Sequence, residues 1–339
     1  PAPRRGVSGM KIALVGAGAI GCWLGARLAR QSQTPITLSV LARGESLHAI
    51  QAQGVQLSIA GQTLQAPVHA SDKAADLGVQ DLVLVALKAP ALGEVAAQLS
   101  PMIGPHTVVL TAMNGVPWWF LQGQKAETGA TRLHTIDPDG VIERAIPATQ
   151  VLGCVVHASC ALLGRGHAKH HFGNGLIVGE PMGGRSDRAE RTVALLCAAG
   201  FDATLSSHIQ KDIWYKLWGN MTVNPISAMT GATTDQVLAD PLVRAFMSRV
   251  MLEAQSIGTR LGLPIDQQPE DRHAITAKLG KFKSSMLQDV EARRVVELDA
   301  LVSAVRELGQ RTGVDTPFTD ALLGLSRLHA RGLGLYPAA

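Results

Sequence analysis

The sequence predicts an α/β fold in which a parallel, doubly wound sheet is followed by an all-helical domain. Short apolar runs alternate with helical patterns up to about residue 207, a glycine-rich turn joins the first run to the first helix, and no convincing strand follows. We therefore place one domain at residues 10–207 and a helical domain at residues 208–339. A chain of 339 residues is long enough for two domains of ordinary size.

The first domain opens with a strand, a helix and a second strand. The apolar run Lys11–Val15 ends at a glycine, helical spacing follows over Ala19–Arg30, and Pro35–Ala42 is rich in strand-forming residues. The next predicted elements are a hairpin over Val55–Ile59 and Thr63–Val68, a strand over Asp81–Leu87, a helix over Ala91–Leu99 and a strand over Thr107–Met113. Because strands alternate with helices, we expect a parallel sheet.

The pattern changes over Pro117–Thr149, which is polar, rich in glycine and proline, and carries Trp118-Trp119-Phe120 near its start. This composition predicts a long loop with about one helical turn, for which a lid, an interface and a pocket wall all remain open. Strands are then predicted over Val151–Leu163, His167–Phe172, Gly175–Gly179 and Ala203–Ser206, with a helix over Arg188–Ala199 and an antiparallel extension of the sheet. The helical domain has predicted helices over Lys211–Thr222, Pro241–Leu261, Ser285–Arg311 and Asp320–Ala330.

Composition and charge narrow the classes of function. Apolar residues make up 46% of the chain and charged residues 17%, which is typical of a protein with a substantial core. The net charge is +4 with scattered basic residues, so we expect no nucleic-acid partner and favour an anionic cofactor or substrate. No apolar run reaches the ~20 residues of a membrane helix. Residues 1–9 resemble an extension ahead of Met10 rather than a signal peptide, and we expect a cytoplasmic protein without a membrane partner.

The four cysteines, Cys22, Cys154, Cys160 and Cys197, form no CxxC pair and have no metal-ligand spacing. We therefore expect reduced thiols and no metal site.

A glycine-rich segment, Gly16-Ala17-Gly18-Ala19-Ile20-Gly21, follows the first predicted strand and opens the first predicted helix. The first glycine permits the tight turn, the second lets the backbone approach a pyrophosphate, and the third allows the helix to pack closely on the strand. Glycines also cluster in ordinary turns, but the strand–turn–helix context favours dinucleotide binding in a Rossmann-type domain.

Two basic residues indicate which dinucleotide is bound. Arg43 follows the second strand, where an NAD site usually carries an acidic residue, and an arginine can pair with the 2′-phosphate of NADPH. Lys88 follows the strand Asp81–Leu87 at the carboxyl edge of the sheet and can add charge there. Glu45 lies close to Arg43 and weakens the argument. Both basic residues can instead be ordinary surface residues.

Candidate catalytic and substrate-binding residues follow in the second half. Lys216, Asn220 and Asn224 recur every four residues among apolar neighbours and form one stripe on a helix. A buried lysine and two buried amides need polar partners, which a substrate can supply, although a solvent-facing stripe is also compatible with this spacing. Asn114 follows the strand Thr107–Met113, where it can bridge cofactor and substrate or simply form an Asn-Gly turn with Gly115.

A further candidate lies at the start of the predicted helix Ser285–Arg311. Ser285 and Gln288 fit a capping box, and a helix N-terminus with hydroxyl groups also suits a carboxylate. Glu297 and Asp299 lie further along this helix, where carboxylates are usually solvated.

Together these motifs resemble the ketopantoate reductase family of 2-dehydropantoate 2-reductases. The resemblance runs from Lys11 to about Leu328 and rests on the glycine segment, Leu87-Lys88-Ala89, Asn114-Gly115, the Lys216…Asn220…Asn224-Pro225 stripe, and Ser284–Asp289 followed by Glu297. It implies a Rossmann domain joined to a helical domain like that of 6-phosphogluconate dehydrogenase. It also implies NADPH-dependent reduction of a 2-keto acid to a 2-hydroxy acid, with ketopantoate and pantothenate (coenzyme A) biosynthesis as the first expectation.

The resemblance also implies roles for single residues. Lys216 would be the general acid, Asn114 would lie beside nicotinamide and substrate, and Glu297 would serve the lysine or the cofactor. The implied substrate-binding residues are Asn114, Lys216, Asn220, Asn224 and Ser285, and Arg43 and Lys88 would hold the 2′-phosphate. A homodimer is compatible with the resemblance, which leaves the oligomeric state open.

Two departures leave the substrate open. The stretch Pro117–Thr149 is longer than in the shorter family members, and Thr234 stands where the family has a further substrate-contacting asparagine. A related reductase of a bulkier keto acid is therefore one alternative. A protein that senses NADPH without catalysis is another, and a methyltransferase with a glycine-rich loop is a third, against which Arg43 and the helical domain argue.

Overall fold

The computed structural model describes residues 9–31, 33–124 and 131–338. The extension expected at residues 1–9 lies outside the described residues, apart from Gly9. The chain divides into two compact units. The first comprises the described residues of Pro1–Met113 and Gly140–Ile209, and the second those of Asn114–Asp139 and Gln210–Ala339. We predicted a single boundary at residues 207/208, whereas residues 114–139 belong to the helical unit.

The first unit is built on one mixed sheet. Ten strands occur in its described part: β1 (Met10–Val15), β2 (Ile36–Leu41), β3 (Val55–Ile59), β4 (Gln62–Ala66), β5 (His69–Ser71), β6 (Leu82–Val85), β7 (Val108–Thr111), β8 (Val151–Gly164), β9 (His167–Gly179) and β10 (Asp202–Ser206). Their order is β4-β3-β9-β8-β7-β6-β1-β2-β5, and β10 pairs with β9. The run from β5 to β8 is parallel, whereas β9 is antiparallel to β8. The predicted doubly wound sheet with an antiparallel extension is therefore confirmed.

Helices cover this sheet. The described helices of the first unit are α1 (Ala19–Arg30), α2 (Gly44–Gln53), α3 (Ala74–Leu77), α4 (Ala89–Val95), α5 (Val141–Ala145) and α6 (Asp187–Ala198), with 3-10 turns over Ala96–Met102 and Ala148–Gln150. Helix α1 begins and ends where the apolar spacing predicts, because Trp23, Leu24 and Leu28 are fully buried in the core. Helix α2 was not predicted, because Ile50 is its one buried residue among those described.

The second unit is helical. Its described helices are α7 (Ile209–Thr230, which begins at the last residue of the first unit), α8 (Thr234–Ala239), α9 (Pro241–Arg260), α10 (Pro269–Ala277), α11 (Ser285–Glu291), α12 (Ala304–Thr312) and α13 (Pro317–Gly332), with a π-helical segment over Asp299–Ser303. From residue 210 to 338 the described chain contains no strand, as predicted. Among the helices described in both units, none is long and apolar enough to cross a membrane.

The single long helix predicted over Ser285–Arg311 is wrong. Helix α11 ends at Glu291, and Arg293 adopts a left-handed conformation with φ of 53°. The side chain of Arg294 donates to the Asp289 carboxylate at 3.1 Å, while its amide donates to the Asp289 carbonyl at 2.8 Å. The two β-branched residues Val295 and Val296 then favour extended backbone over helix.

The aromatic segment after Pro117 is part of the core of the second unit. Trp118, Trp119 and Phe120 are at most 3% exposed, and the Phe120 ring lies 5.8 Å from that of Trp214 on α7. Phe120 therefore helps to support the helix that carries the candidate stripe. Part of the predicted loop, residues 125–130, lies outside the described residues.

Candidate active site

The glycine turn after β1 lies where the order of the sheet reverses, between β2 on one side and β6 on the other. Gly16 has φ of +101°, and a Cβ added there would lie 2.7 Å from the Ala86 carbonyl oxygen just after β6. Only glycine tolerates both conditions. In open α/β sheets ligands bind at this switch point, outside the carboxyl ends of the strands.

The other two glycines differ in what surrounds them. A Cβ on Gly21 would overlap the carbonyl oxygen of Gly16, so this glycine lets α1 pack closely on the turn. A Cβ on Gly18, the N-cap residue of α1, would meet no atom within 4 Å. Open space therefore lies in front of a helix N-terminus whose first turn has no acidic side chain. This cradle fits the pyrophosphate of a dinucleotide.

Two basic residues flank α4 in the same unit. Arg43 is the N-cap residue of α2, its side chain is 72% exposed, and its guanidinium lies 3.1 Å from the Glu94 carboxylate on α4. Lys88 is the half-buried N-cap residue of α4. The carboxylate of Glu45 pairs with Arg165, so Glu45 is engaged with a different cation from Arg43. Glu45 weakened the argument from Arg43 for NADPH, and its charge is neutralised by Arg165 rather than by Arg43.

In the second unit, Lys216 and Asn114 form a direct pair. The half-buried ammonium of Lys216 donates a hydrogen bond to Asn114 Oδ1 at 2.8 Å. Trp214 and Trp218, two residues before and two residues after Lys216, are buried, so α7 is firmly packed where it carries Lys216. An ammonium in such a setting is suited to stabilising negative charge and donating a proton.

The bend that carries Asn114 is fastened to the π-helical segment. Gly115 has φ of +77°, and a Cβ there would overlap the carbonyl group of Ala300. The Val116 amide donates to the Ala300 carbonyl at 2.8 Å. Asn114-Gly115 is therefore a tight bend that also supplies a hydrogen-bond partner for Lys216, while the bridge from Asn114 to cofactor and substrate stays a prediction.

The two asparagines of the stripe have different surroundings. Asn224 is 5% exposed, and its Nδ2 atom lies 3.5 Å from Ser285 Oγ, at the outer limit of a hydrogen bond. Asn220 is half-buried, and no hydrogen bond to its side chain is found in the described part of the chain. With Lys216 half-buried as well, the stripe is not an ordinary solvent-facing surface.

Ser285 is the first residue of α11, and the capping box predicted for it is wrong. Ser284 is the N-cap residue, and its hydroxyl accepts from the Leu287 amide at 3.1 Å. Gln288 Nε2 donates instead to the Lys283 carbonyl at 3.0 Å. Helix α11 has seven residues, so the helix-terminus argument for a carboxylate is weaker than the predicted long helix implied. The exposed Ser285 hydroxyl beside Asn224 remains a candidate for binding a carboxylate.

Glu297 lies in the extended segment between α11 and the π-helical segment rather than on a helix. It is half-buried and follows Val296, whose amide donates to the Leu335 carbonyl at 3.1 Å. Three residues later, Ala300 accepts the hydrogen bond from Val116. The segment with Glu297 is therefore tied through Ala300 to the bend that carries Asn114.

The structure gives two residues a role that the sequence did not predict. Ala300 acts through its carbonyl group, so its side chain gives no sequence signal. Thr234 is 1% exposed, and both its amide and its hydroxyl donate to the Phe282 carbonyl, at 2.9 and 3.0 Å. Thr234 thus braces the backbone just before Ser284 and Ser285, and its identity as a departure from the family pattern was the signal available in the sequence.

The fold and the glycine cradle define a protein with a Rossmann-type dinucleotide-binding domain, and comparison with known proteins identifies the family. The model for ketopantoate reductase PanE/ApbA matches residues 12–183, and the model for its C-terminal part matches residues 208–330. A 2-dehydropantoate 2-reductase from Mesorhizobium japonicum is 43% identical over 327 residues, covering 96% of this chain and 100% of the relative. The chain belongs to the ketopantoate reductase family and, as a member, is an oxidoreductase that reduces a keto acid.

Solved structures show the same fold. A crystal structure from Ralstonia solanacearum MolK2, assigned as a ketopantoate reductase, is 53% identical with a TM-score of 0.93 and covers 97% of this chain and 100% of its own. D-mandelate dehydrogenase in complex with NADH and anilino(oxo)acetate is 21% identical with a TM-score of 0.82, and covers 96% and 100%. The second likeness concerns the fold alone.

Proposed function

We propose that this protein reduces 2-dehydropantoate to pantoate with NADPH, in the synthesis of pantothenate and coenzyme A. The observation that carries the proposal is the Lys216–Asn114 hydrogen bond of 2.8 Å, which holds a half-buried ammonium beside an amide. The 43% identical 2-dehydropantoate 2-reductase supports the choice of substrate.

Lys216 is the proposed general acid. NADPH, when bound, supplies a hydride to the keto carbon of the substrate. Negative charge then builds on the keto oxygen, where the Lys216 ammonium stabilises it and donates a proton from Nζ. Asn114 Oδ1 accepts one of the three N–H groups of that ammonium and so restricts the directions in which the others point.

The amides and the hydroxyl of the second unit are proposed to bind the polar groups of the substrate. Asn220 has no partner for its amide in the described residues, and the contact of Asn224 with Ser285 is long at 3.5 Å. Both amides can therefore bind a ligand without breaking a strong bond. The exposed hydroxyl of Ser285 is proposed to bind the substrate carboxylate, and Glu297 to act on the lysine or on the cofactor.

The cofactor is proposed to lie on the glycine segment Gly16–Gly21, with its 2′-phosphate held by Arg43 and Lys88. The open space at Gly18 and the 72% exposed guanidinium of Arg43 support this assignment. The ion pair with Glu94 is on the surface, where such pairs contribute about 0–1 kcal/mol, so a phosphate can compete for Arg43.

A related reductase of a bulkier 2-keto acid is the second candidate. The observation in its favour is Thr234, whose hydroxyl is engaged with the Phe282 carbonyl and cannot replace an asparagine amide toward a substrate. A panel of 2-keto acids of increasing size, assayed by loss of NADPH absorbance, separates the two candidates. If the protein is a 2-dehydropantoate reductase, kcat/KM should be highest for 2-dehydropantoate. No turnover of 2-dehydropantoate, with turnover of a bulkier acid, would establish the second.

The general acid is tested by Lys216→Ala. Loss of a positioned acid typically costs a factor of about 10² to 10⁴ in kcat, and we expect that loss with little change in the Kd for NADPH. Lys211→Ala is the matched control, because Lys211 is an exposed lysine on the same helix. Turnover of the Lys216 variant at the rate of the control would rule out the proposed role.

A further inference from the structure

Glu45 places a negative charge close to the proposed site of the cofactor phosphate. It lies in the first turn of α2, two residues after Arg43, which is the N-cap residue of that helix. A carboxylate in a first turn stabilises the helix, because the N-terminus of a helix carries partial positive charge. A phosphate monoester such as the 2′-phosphate of NADPH carries about −1.5 to −2 charges at pH 7. A free carboxylate beside Arg43 would therefore repel this phosphate and compete with it for the guanidinium.

Arg165 contacts the same helical turn from a distant part of the sequence. Its Nη2 atom lies 2.5 Å from Glu45 Oε2, and its Nη1 atom donates to Ser46 Oγ at 3.2 Å. The side chains of Arg165 and Glu45 are 56% and 78% exposed. Exposed ion pairs of this kind add little to the stability of a fold, so stability alone gives little reason for the contact.

The turn that carries Arg165 is docked on α2. Arg165 and Gly166 connect β8 to β9, and Gly166 has φ of +71°. A Cβ added to Gly166 would lie 2.7 Å from Cγ1 of Ile50, a buried residue of α2. The Gly166 carbonyl also accepts a hydrogen bond of 2.8 Å from the Gln56 amide on β3. The backbone of this turn is thus fixed against α2 and β3, and the long side chain of Arg165 reaches the first turn of α2 from there.

Arg43 and Arg165 have separate acidic partners. The guanidinium of Arg43 lies 3.1 Å from Glu94 on α4, whereas the guanidinium of Arg165 holds Glu45. In the described part of the chain, no hydrogen bond or ion pair joins Arg43 to Glu45. Arg43 therefore has one acidic competitor for a phosphate instead of two. Without Arg165, the cation nearest to Glu45 in the sequence would be Arg43 itself.

We infer that Arg165 is a positioning residue for cofactor preference, which neutralises Glu45 and keeps its carboxylate off Arg43 so that the 2′-phosphate of NADPH can bind. The inference rests on the proposed NADPH site and adds to it a residue that lies outside the nucleotide-binding motifs of the sequence.

Fluorescence titration of the full-length protein with NADPH and with NADH at low ionic strength tests this role. We expect Arg165→Ala to raise the Kd for NADPH about three- to tenfold, because the charge of Glu45 is then no longer neutralised. The Kd for NADH should change less than about twofold, since NADH has no 2′-phosphate. Arg185→Ala is the matched control, because Arg185 forms an exposed ion pair with Glu190 at 3.1 Å next to α6 and should leave both Kd values unchanged.

A double variant distinguishes an action through Glu45 from a direct contact with the phosphate. Arg165→Ala combined with Glu45→Gln should return the Kd for NADPH to within about twofold of the wild type, because the carboxylate that repels the phosphate is gone. If the double variant binds NADPH as weakly as Arg165→Ala, the inference is overturned. Equal weakening of NADPH and NADH by Arg165→Ala would overturn it as well, because this result is expected from a merely structural role.

Arg43→Ala, titrated in the same way, separates failure of the inference from failure of the proposed site. If Arg43→Ala weakens NADPH alone and Arg165→Ala weakens neither cofactor, only the role of Arg165 is wrong. If Arg43→Ala affects both cofactors equally, the 2′-phosphate does not bind there, and the inference falls together with the proposed site.

Discussion

The side chain of Asn220 is suited to binding a ligand without contributing much to the stability of the fold. Its half-buried amide has no hydrogen-bond partner in the described part of the chain, although Lys216 and Asn224 on the same face do. A polar group held in this way contributes little to the fold and is available to a ligand.

We expect Asn220→Ala to lower kcat/KM for the keto acid by about one to two orders of magnitude, as for the loss of a hydrogen bond to a polar or charged ligand. The melting temperature should stay within about 2 °C of the wild type. Steady-state kinetics and a thermal melt measure both effects. Asn224→Ala is the comparison, since Asn224 is buried and should lose stability as well as activity. Unchanged kcat/KM in the Asn220 variant would remove it from the proposed site.

Arg43 decides the proposed preference between the two nicotinamide cofactors. We expect Arg43→Ala to raise the Kd for NADPH about tenfold or more, because a charge-assisted bond to the 2′-phosphate is lost, and to leave the Kd for NADH nearly unchanged. Fluorescence titration with both cofactors measures this difference. Glu94→Gln is the control, since it removes the competing ion pair and should tighten NADPH binding. Equal effects on both cofactors would argue against a 2′-phosphate at Arg43.

Helices and strands that bury a regular apolar face could be predicted from the sequence. Helices and strands without such a face could not. Helix α1 and the strands β1, β6 and β7 follow directly from apolar spacing. Helix α7 runs on past the predicted end and through Pro225, because residues 221–228 are buried and tertiary packing outweighs the lost backbone hydrogen bond. The break after α11 was missed because the apolar pattern continues across it.

Much of the candidate site was predictable for the same reason. The spacing of Lys216, Asn220 and Asn224 depends on one helix, and the glycine turn depends on one strand and one helix. The pairing of Lys216 with Asn114 joins residues 102 positions apart in the sequence, and no local pattern specifies such a contact. The role of Ala300 depends on a backbone carbonyl, which every residue has.

Gly115→Ala tests how the Asn114 bend depends on the π-helical segment. Alanine is strained at φ of +77°, and its Cβ would also overlap the carbonyl group of Ala300. We expect a loss of more than about 1–2 kcal/mol in the free energy of unfolding, together with lower kcat because Asn114 moves relative to Lys216. Urea unfolding and steady-state kinetics measure the two effects.

Gly78→Ala separates strain from overlap, since Gly78 has φ of +66° but open space around its Cβ position. This control should lose about 1 kcal/mol from strain alone and keep full activity. Equal behaviour of the two variants would mean that the contact with Ala300 does not position Asn114.

At the scale of the whole molecule, stability should depend on pH through His273. This side chain is 1% exposed and lies 2.9 Å from Ser248 Oγ. Burial lowers the pKa of His273 below its ordinary value; Glu270 opposes the shift and Arg244 adds to it. The unfolded chain therefore binds a proton more readily than the folded one. The stabilising contribution is present above the unfolded pKa and is lost as the pH falls through the folded pKa.

We expect the wild type to lose more unfolding free energy than His273→Gln between about pH 7.5 and about pH 5.5, because glutamine does not titrate but can still bond to Ser248. Urea unfolding at the two pH values gives the difference. His106→Gln is the control on a different histidine. Parallel pH profiles for the wild type and His273→Gln would show that His273 is not the group responsible.

Because residues 114–139 belong to the helical unit, no single cut in the gene separates the two units. The chain crosses between the units after Met113, after Asp139 and after Ile209, so neither unit is one continuous stretch of coding sequence. A fragment that begins at Gln210 would lack Phe120, whose ring contacts Trp214, and Asn114, which binds Lys216. Recombination at a single point therefore cannot exchange the helical unit between relatives intact.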